Sequence, residues 1–323
     1  MGDSAAGRYR SGLIFGLVAY GWWGLVPLYF VHLKDADLKA GEILAHRIVW
    51  SLPVMLVLVA AVGGWRDLFR VLGSRKLVLT LLASSSLLAV NWLLYIYATV
   101  SGRVAEASLG YFMMPLVNAA LATAFLGEKL RPAHYPALFL VALGVLIPSV
   151  WGGYLPWLAV SVTASFGVYG LVRKKAPVES TTGLSVETIL LLPPSLGFLL
   201  YLSATGGNHF GSNGALDGLI AFSGVVTVVP LLAFTLSLRR LPLLAISFMQ
   251  FLSPTIQVLL AVALLGETLT PDRVAAFVCV WAAVLIFVWD AIAQARELRK
   301  KQQAHPSRRV GCGAGAGAAP VTR

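Results

Sequence analysis

A succession of apolar stretches, each about twenty residues long, constrains the fold of this chain more than any other feature. A helix of that length crosses the hydrocarbon layer of a membrane, so each stretch predicts one transmembrane helix. The chain is 58% hydrophobic and 12% charged, far from the composition of a soluble domain. We therefore predict an all-α integral membrane protein with ten transmembrane helices. The predicted spans are residues 11–32, 43–62, 77–98, 104–126, 133–151, 154–172, 184–203, 216–237, 243–265 and 274–294.

The positive charges predict how these spans are oriented. Lys and Arg residues next to the membrane favour the cytoplasmic side. Alternate segments, beginning with the N-terminus, hold twenty of the 25 Lys and Arg residues, the other loops hold four, and Arg47 lies within a span. Both termini are therefore expected in the cytoplasm. The net charge of +11 follows this topology and does not point to a nucleic-acid partner.

An internal repeat divides the chain into two halves. A shift of 139 positions aligns RVAEASLGYFMMPLVNAALATAFLGEKLRP, from Arg103, with PLLAISFMQFLSPTIQVLLAVALLGETLTP, from Pro242. The shift carries span 4 onto span 9, and a displacement of five spans turns the second copy upside down in the membrane. We therefore predict two inverted five-helix repeats, a first half at 11–151 and a second half at 154–294. Residues 295–323 are expected to form a disordered cytoplasmic tail.

The paired LGE-x-L-x-P segments resemble the EamA repeats of the drug/metabolite transporter superfamily. The strings AGEILAHRIVWSLP, NWLLYIYATVSGRVAEASLGYFMMPLVN and YGLVRKK are further similar to its RarD branch. The resemblance covers residues 10–295. It implies ten helices, a bacterial-type inner membrane location and transport of a metabolite or drug-like compound, and it leaves the substrate open.

Polar groups within spans 4 and 9 are the first candidates for a substrate site. Span 4 carries Tyr111 and Asn118, and the repeat places Gln250 and Gln257 at the matching positions of span 9. Each pair is seven residues apart and shares one helix face, with a proline between its members. We expect the four side chains to line a cavity near the midplane. The alternative is that they hold the helices together by hydrogen bonds.

Span 3 adds three candidates for substrate binding, namely Asn91, Trp92 and Tyr95. Asn91 and Tyr95 are four residues apart, so they share a face, and an amide has no reason to face lipid. Aromatic residues such as Tyr97 instead fit the belt at the membrane surface.

Ionisable groups within the spans are candidates for coupling or gating. Glu42, His46 and Arg47 open span 2, where His46 can titrate and Glu42 can balance Arg47. Glu187 in span 7 is the nearest counterpart in the second half, and Glu106 starts span 4. A carboxylate near each mouth of the protein suits proton-linked gating, whereas an interfacial helix start is the alternative for span 2.

The repeated Glu128 and Glu267 of the LGE segments are interpreted as structural, because the adjoining glycines suit helix ends and the following prolines suit helix starts. The chain contains no ATP-binding loop, metalloprotease motif or serine-hydrolase motif. We therefore predict no enzyme activity, no cofactor and no metal.

The predicted function is secondary-active export or exchange of a small molecule by alternating access, with the proton as candidate coupling ion. A channel-like facilitator is the main alternative, followed by an intramembrane enzyme and a sensor derived from a transporter. The expected partners are the substrate and the lipid bilayer, and a homodimer is left open.

Overall fold

The computed structural model describes residues 5–127, 132–238, 240–241, 246 and 249–304. These residues form eleven helices and no strand. Glu128, the start of predicted span 9 and the tail beyond residue 304 lie wholly or partly outside the described residues. The helices are α1 Ala5–Asp35, α2 Ala40–Ala61, α3 Trp65–Leu72, α4 Arg75–Val100, α5 Val104–Leu126, α6 His134–Val150, α7 Trp157–Lys175, α8 Ser180–Ala204, α9 Gly214–Leu238, α10 Leu252–Ala263 and α11 Pro271–Ala304.

Ten of these helices overlap the ten hydrophobic segments, one helix for each segment. Six helices, α1, α2, α4, α8, α9 and α11, are long and apolar enough to cross a membrane. The two parts of α5 meet at an angle of 44° and would together make a seventh span. The bend falls at Pro115, where the chain lacks a backbone donor. The remaining three, α6, α7 and α10, are shorter apolar helices.

The helix α3 corrects the sequence analysis, which treats residues 63–76 as a loop. Its eight residues contain three charged side chains, so hydropathy alone does not reveal it. Leu68 and Val71 are three residues apart and both buried, whereas Phe69 is exposed. α3 is thus a short amphipathic helix held to the bundle by one apolar face.

Most helix packing joins the first half of the chain to the second. The main contacts are α1 with α9 and α10, α7 with α4 and α5, α2 with α8 and α9, α4 with α8, α5 with α10, and α6 with α11. This list of contacts is reciprocal. It is unchanged when α1 is exchanged with α7, α2 with α8, α4 with α9, α5 with α10 and α6 with α11. The halves therefore interlock rather than fold as separate bundles.

Two glycines allow close approach where helices of the two halves cross. A Cβ atom on Gly110 of α5 would lie 2.6 Å from the carbonyl oxygen of Ala159 on α7. A Cβ atom on Gly224 of α9 would meet the carbonyl oxygen of Trp50 on α2 even more closely. Small residues at such crossings let backbones pack tightly in membrane proteins. These contacts fix α2, α5, α7 and α9 around the polar groups described next.

Candidate functional site

Arg47, near the start of α2, is the one Lys or Arg that is buried among the described residues, with 9% of its surface exposed. Its Nε donates a hydrogen bond to Thr227 Oγ1 on α9 at 2.7 Å. Its guanidinium carbon lies 4.2 Å from the centre of the Trp92 ring on α4, within cation–π range. Both partners are neutral, and none of the described carboxylates forms an ion pair with Arg47.

Aromatic and amide groups of α4 and α5 continue this site. Asn91 Nδ2 donates to the Val162 carbonyl at 2.9 Å and to Ser165 Oγ at 3.1 Å, both on α7. Asn91 Oδ1 lies 3.4 Å from the hydroxyl of Tyr111, which donates to it. The Tyr111 ring meets the Tyr95 ring edge-on at 5.6 Å. The buried Tyr95 hydroxyl has no hydrogen-bond partner among the described residues.

These side chains form one polar and aromatic cluster between the two halves. Helices α2, α4 and α5 come from the first half, whereas Thr227 and the partners of Asn91 come from the second. We call the following set the Arg47 cluster: Phe30, Arg47, Asn91, Trp92, Tyr95, Tyr111 and Thr227.

The structure brings together four of the seven side chains that the sequence nominates for substrate binding, namely Asn91, Trp92, Tyr95 and Tyr111. It adds Phe30 and Thr227, for which the sequence contains no signal, because both meet the cluster only through tertiary packing. Phe30 lies 6.3 Å from the Tyr95 ring.

The other three nominated residues lie elsewhere. Gln257 on α10 accepts a hydrogen bond from Ser108 Oγ at 3.2 Å and donates to the Trp23 carbonyl at 3.1 Å. Gln250 is half-buried just before α10, and Asn118 is exposed near the end of α5. Gln257 thus bonds to α5 and to the backbone of α1 rather than to Tyr111. That Tyr111, Asn118 and the two glutamines face one another stays a prediction.

Glu42, in the first turn of α2, holds the loop between α8 and α9. Its Oε1 accepts the backbone N–H of His209 at 2.8 Å, and its Oε2 lies 2.9 Å from His209 Nδ1. His46 Nε2 is 3.9 Å from Glu42 Oε1 and 3.4 Å from Asn208 Oδ1. Glu42, His46, Asn208 and His209 are called the Glu42 cluster. The predicted pairing of Glu42 with Arg47 is wrong, since residues five positions apart lie about 140° apart around the helix axis and point in different directions.

An open cavity of about 210 Å³ adjoins the Glu42 cluster between α2 and α8. His46 and Asn208 of that cluster are among its lining residues. Its lining residues are His46, Val49, Trp50, Leu196, Leu199, Leu200, Ser203, Asn208 and Phe210.

Glu187 of α8 is the centre of a second buried cluster, with only 1% of the residue exposed. Ser84 Oγ on α4 donates to its Oε1 at 2.5 Å, and the Tyr169 hydroxyl on α7 donates to its Oε2 at 3.3 Å. Arg173 Nε on α7 lies 3.6 Å from Oε1. Ser84, Tyr169, Arg173 and Glu187 are called the Glu187 cluster. Seventeen residues of α8, about 26 Å of helix, separate Glu187 from the loop held by Glu42.

The remaining nominated carboxylate, Glu106, stabilises a helix start. It pairs with Arg103 at 2.6 Å and accepts the backbone N–H of Leu158, the second residue of α7, at 3.1 Å. Glu267 likewise accepts the N–H groups of the first two residues of α5, at 2.6 and 3.0 Å. Carboxylates suit the unpaired N–H groups of helix starts. The structural interpretation of Glu267 is thus supported, whereas Glu128 lies outside the described residues.

No group of three His, Cys, Asp or Glu side chains in the described ranges has metal-binding geometry. The ionisable groups instead form pairs or small hydrogen-bonded clusters.

Two segments of the chain, residues 10–150 and 155–289, match the model of the EamA-like transporter family. The chain belongs to this family. Protein RarD of Streptomyces exfoliatus is 41% identical over 93% of this chain and 95% of its own length. Protein RarD of Escherichia coli (strain K12) is 40% identical over 91% of this chain and 99% of its own length. The resemblance to EamA and RarD proteins that the sequence predicts is confirmed.

A protein of known crystal structure has a similar fold, with a TM-score of 0.59 and 14% identity over 88% of this chain and 99% of that one. At this identity the likeness concerns the fold alone. Family membership and the apolar helices together make the chain a multi-pass membrane protein of the EamA-like transporters.

Proposed function

We propose that this EamA-like protein is a secondary-active transporter that exports or exchanges a small metabolite or drug-like compound by alternating access. The observation that carries the proposal is the Arg47 cluster, which is largely buried and assembled from both halves of the chain. Carriers place their binding site where two repeats meet, so that a movement of one repeat against the other exposes it to either side.

In this proposal all ten hydrophobic helices cross the membrane as two inverted five-helix repeats. The reciprocal packing between the halves supports it, because a twofold axis in the membrane plane would exchange helices in this way. The family model, which matches twice in succession, supports it too. The distribution of Lys and Arg favours an inner membrane location with both termini in the cytoplasm.

The substrate would bind to Asn91, Trp92, Tyr95 and Tyr111, with Arg47 as a fifth contact. Tyrosine and tryptophan rings offer apolar area, and the Asn91 amide and the tyrosine hydroxyls offer hydrogen bonds. The sequence nominates Arg47 for gating. We assign it to the binding site instead, because it lies beside Trp92.

The Glu42 and Glu187 clusters would close the two ends of the pathway. Glu42 joins α2 of the first half to a loop of the second, and Glu187 joins α8 of the second half to α4 of the first. Opening of either end would require its carboxylate to lose those partners. Protonation is one way to achieve this, so these two carboxylates and His46 are the candidates for proton coupling. Glu106 is assigned to positioning α7.

Transport by the purified protein in liposomes with an imposed pH gradient tests the proposal. We expect at least one compound from a broad panel of labelled metabolites to move faster than in empty vesicles, with saturation. Tyr111→Phe, which loses the bond to Asn91 but keeps the ring, should slow this movement about tenfold. Tyr97→Phe, at an exposed tyrosine, is the matched control and should not.

The absence of transport of every compound, together with protein-dependent ion currents, would contradict the carrier and favour a channel. Equal rates for Tyr111→Phe and Tyr97→Phe would contradict the assignment of the site.

A further inference from the structure

Arg47 differs from three buried carboxylates of the helix bundle, each of which lies beside a basic side chain. Glu42 has His209, Glu106 has Arg103, and Glu187 has Arg173. Arg47 has a hydroxyl group and aromatic rings, and no anion among the described side chains. The ionisable side chains close to Arg47 are Tyr29, Tyr95 and Tyr111, and tyrosine hydroxyl groups are neutral near pH 7.

Burial of a cation without an anion is unfavourable, because neither the hydrocarbon layer nor packed protein solvates a charge as well as water does. A cation–π contact and one hydroxyl offset only part of this cost. Chains that retain such a group in a membrane commonly use it for a ligand. The charge beside Trp92 is therefore explained if an anion enters the cluster during the transport cycle.

The geometry points to the chemical class of that anion. The Nε atom of Arg47 already bonds to Thr227, and the rest of the guanidinium group is a planar fork that matches a carboxylate or a phosphate. The Tyr95 hydroxyl, buried and without a partner, offers one further donor. The rings of Trp92 and Tyr111 suit an apolar or aromatic body attached to the anionic group.

We propose that the Arg47 cluster binds a small organic anion through its carboxylate or phosphate group, and that Arg47 supplies the compensating charge. This inference rests on the proposed function, since it names the substrate class of the same site. Arg47 is then a binding residue rather than a structural one.

The surroundings of Arg47 allow its removal without an orphaned donor. The Thr227 hydroxyl also donates to the Ser223 carbonyl at 2.9 Å, so it stays bonded when Arg47 is absent. Arg47→Met keeps much of the side-chain volume and removes the charge. We expect this variant to melt at or above the temperature of the wild type, as replacement of a buried charge by an apolar side chain often does.

A carboxylate built into the protein provides a test that needs no substrate. In Thr227→Glu a carboxylate would lie beside Arg47 and supply the negative charge that the anion is proposed to supply, and Thr227→Gln is its neutral control of the same size. With Arg47 present, Thr227→Glu should melt at a higher temperature than Thr227→Gln. In the Arg47→Met background the order should reverse, because the new carboxylate is then buried alone. The same order in both backgrounds would overturn the proposal.

Ligand binding is measured on the full-length protein in nanodiscs of phosphatidylcholine, by the shift of melting temperature. The probes are 3-phenylpropionate, its neutral amide 3-phenylpropanamide, and inorganic phosphate. We expect the wild type to bind 3-phenylpropionate on the order of a hundredfold more tightly than the amide, with this preference lost in Arg47→Met. Arg70→Met, at an exposed arginine, is the control and should keep it.

Three outcomes would overturn the inference: equal binding of acid and amide, an unchanged preference in Arg47→Met, and no shift with any of the anions. Nanodiscs that contain phosphatidylglycerol separate a lipid headgroup from a free anion. A shift by that lipid that depends on Arg47 and competes with 3-phenylpropionate would assign the site to a headgroup and overturn a soluble substrate.

The transport assay separates this inference from the proposed function. If the wild type transports neutral compounds as fast as anions, the substrate class is wrong but the carrier stands. If the acid binds through Arg47 and no compound moves, the carrier is wrong but the anion site stands.

Discussion

Glu42 lies on α2 in the first half of the chain and Glu187 on α8 in the second half, and their surroundings differ in kind. Glu42 is held by a histidine of a loop, and a second histidine lies 3.9 Å away. Glu187 is held by a serine, a tyrosine and an arginine that belong to two helices. Histidine changes its charge between about pH 5 and 8, whereas arginine does not.

This difference suggests how the two ends would open in the proposed cycle. The Glu42 cluster can be released by movement of one loop. The Glu187 cluster opens when α4, α7 and α8 separate, because its members lie on all three. The two ends would therefore differ in how much of the helix bundle must move.

The largest expected effect is the removal of the partner of Glu187. Arg173→Met leaves a carboxylate that is 1% exposed without its cation, and the loss of one partner of a buried pair costs about 3 kcal/mol. We expect a matching fall in the free energy of unfolding, measured in detergent. Arg70→Met breaks an exposed ion pair and should change it by less than about 0.5 kcal/mol. The double variant Arg173→Met with Glu187→Gln should recover part of the loss, and failure to recover would contradict the pairing.

Removal of the Glu42 charge should have a smaller effect. Glu42→Gln weakens two hydrogen bonds to His209 and should lower the free energy of unfolding by about 2 kcal/mol. The control is Asp67→Asn, at an exposed carboxylate. Its free energy of unfolding shows how much the loss of a surface charge alone changes stability. If the two variants behave alike, Glu42 does not hold the loop.

The smallest expected effect concerns a single hydroxyl of the Glu187 cluster. Tyr169→Phe loses a hydrogen bond of 3.3 Å and should lower the free energy of unfolding by about 1 kcal/mol. Tyr97→Phe, whose hydroxyl lies on an exposed residue, should change it by less than half of that. No difference between the two variants would place the Tyr169 hydroxyl outside the cluster.

The apolar stretches predict the positions of the ten apolar helices well, because hydropathy depends only on neighbouring residues along the chain. Span 7 illustrates this: Glu187 and the Pro193–Pro194 pair interrupt its apolar run, yet α8 is continuous through both. The short helix α3 is not predicted, because hydropathy detects only long apolar stretches.

The partners of each polar group could not be predicted, because they depend on packing between distant parts of the chain. His209 is 167 positions from Glu42, and Thr227 is 180 positions from Arg47. Sequence alone identifies Glu42 and Arg47 as unusual for a membrane span but pairs them with each other. Only the three-dimensional structure shows that the two residues belong to different clusters.

A cross-link across the Glu42 cluster tests alternating access most directly. Glu42→Cys and His209→Cys, in a chain whose Cys279 and Cys312 are replaced by serine, can be joined by a short bis-methanethiosulfonate reagent that a reductant removes, because the Glu42 side chain reaches the His209 backbone at 2.8 Å. We expect the cross-linked protein in liposomes to transport the compound identified in the panel more slowly than the same variant after reduction. Transport at the same rate in the cross-linked and reduced states would contradict a cycle in which this end must open.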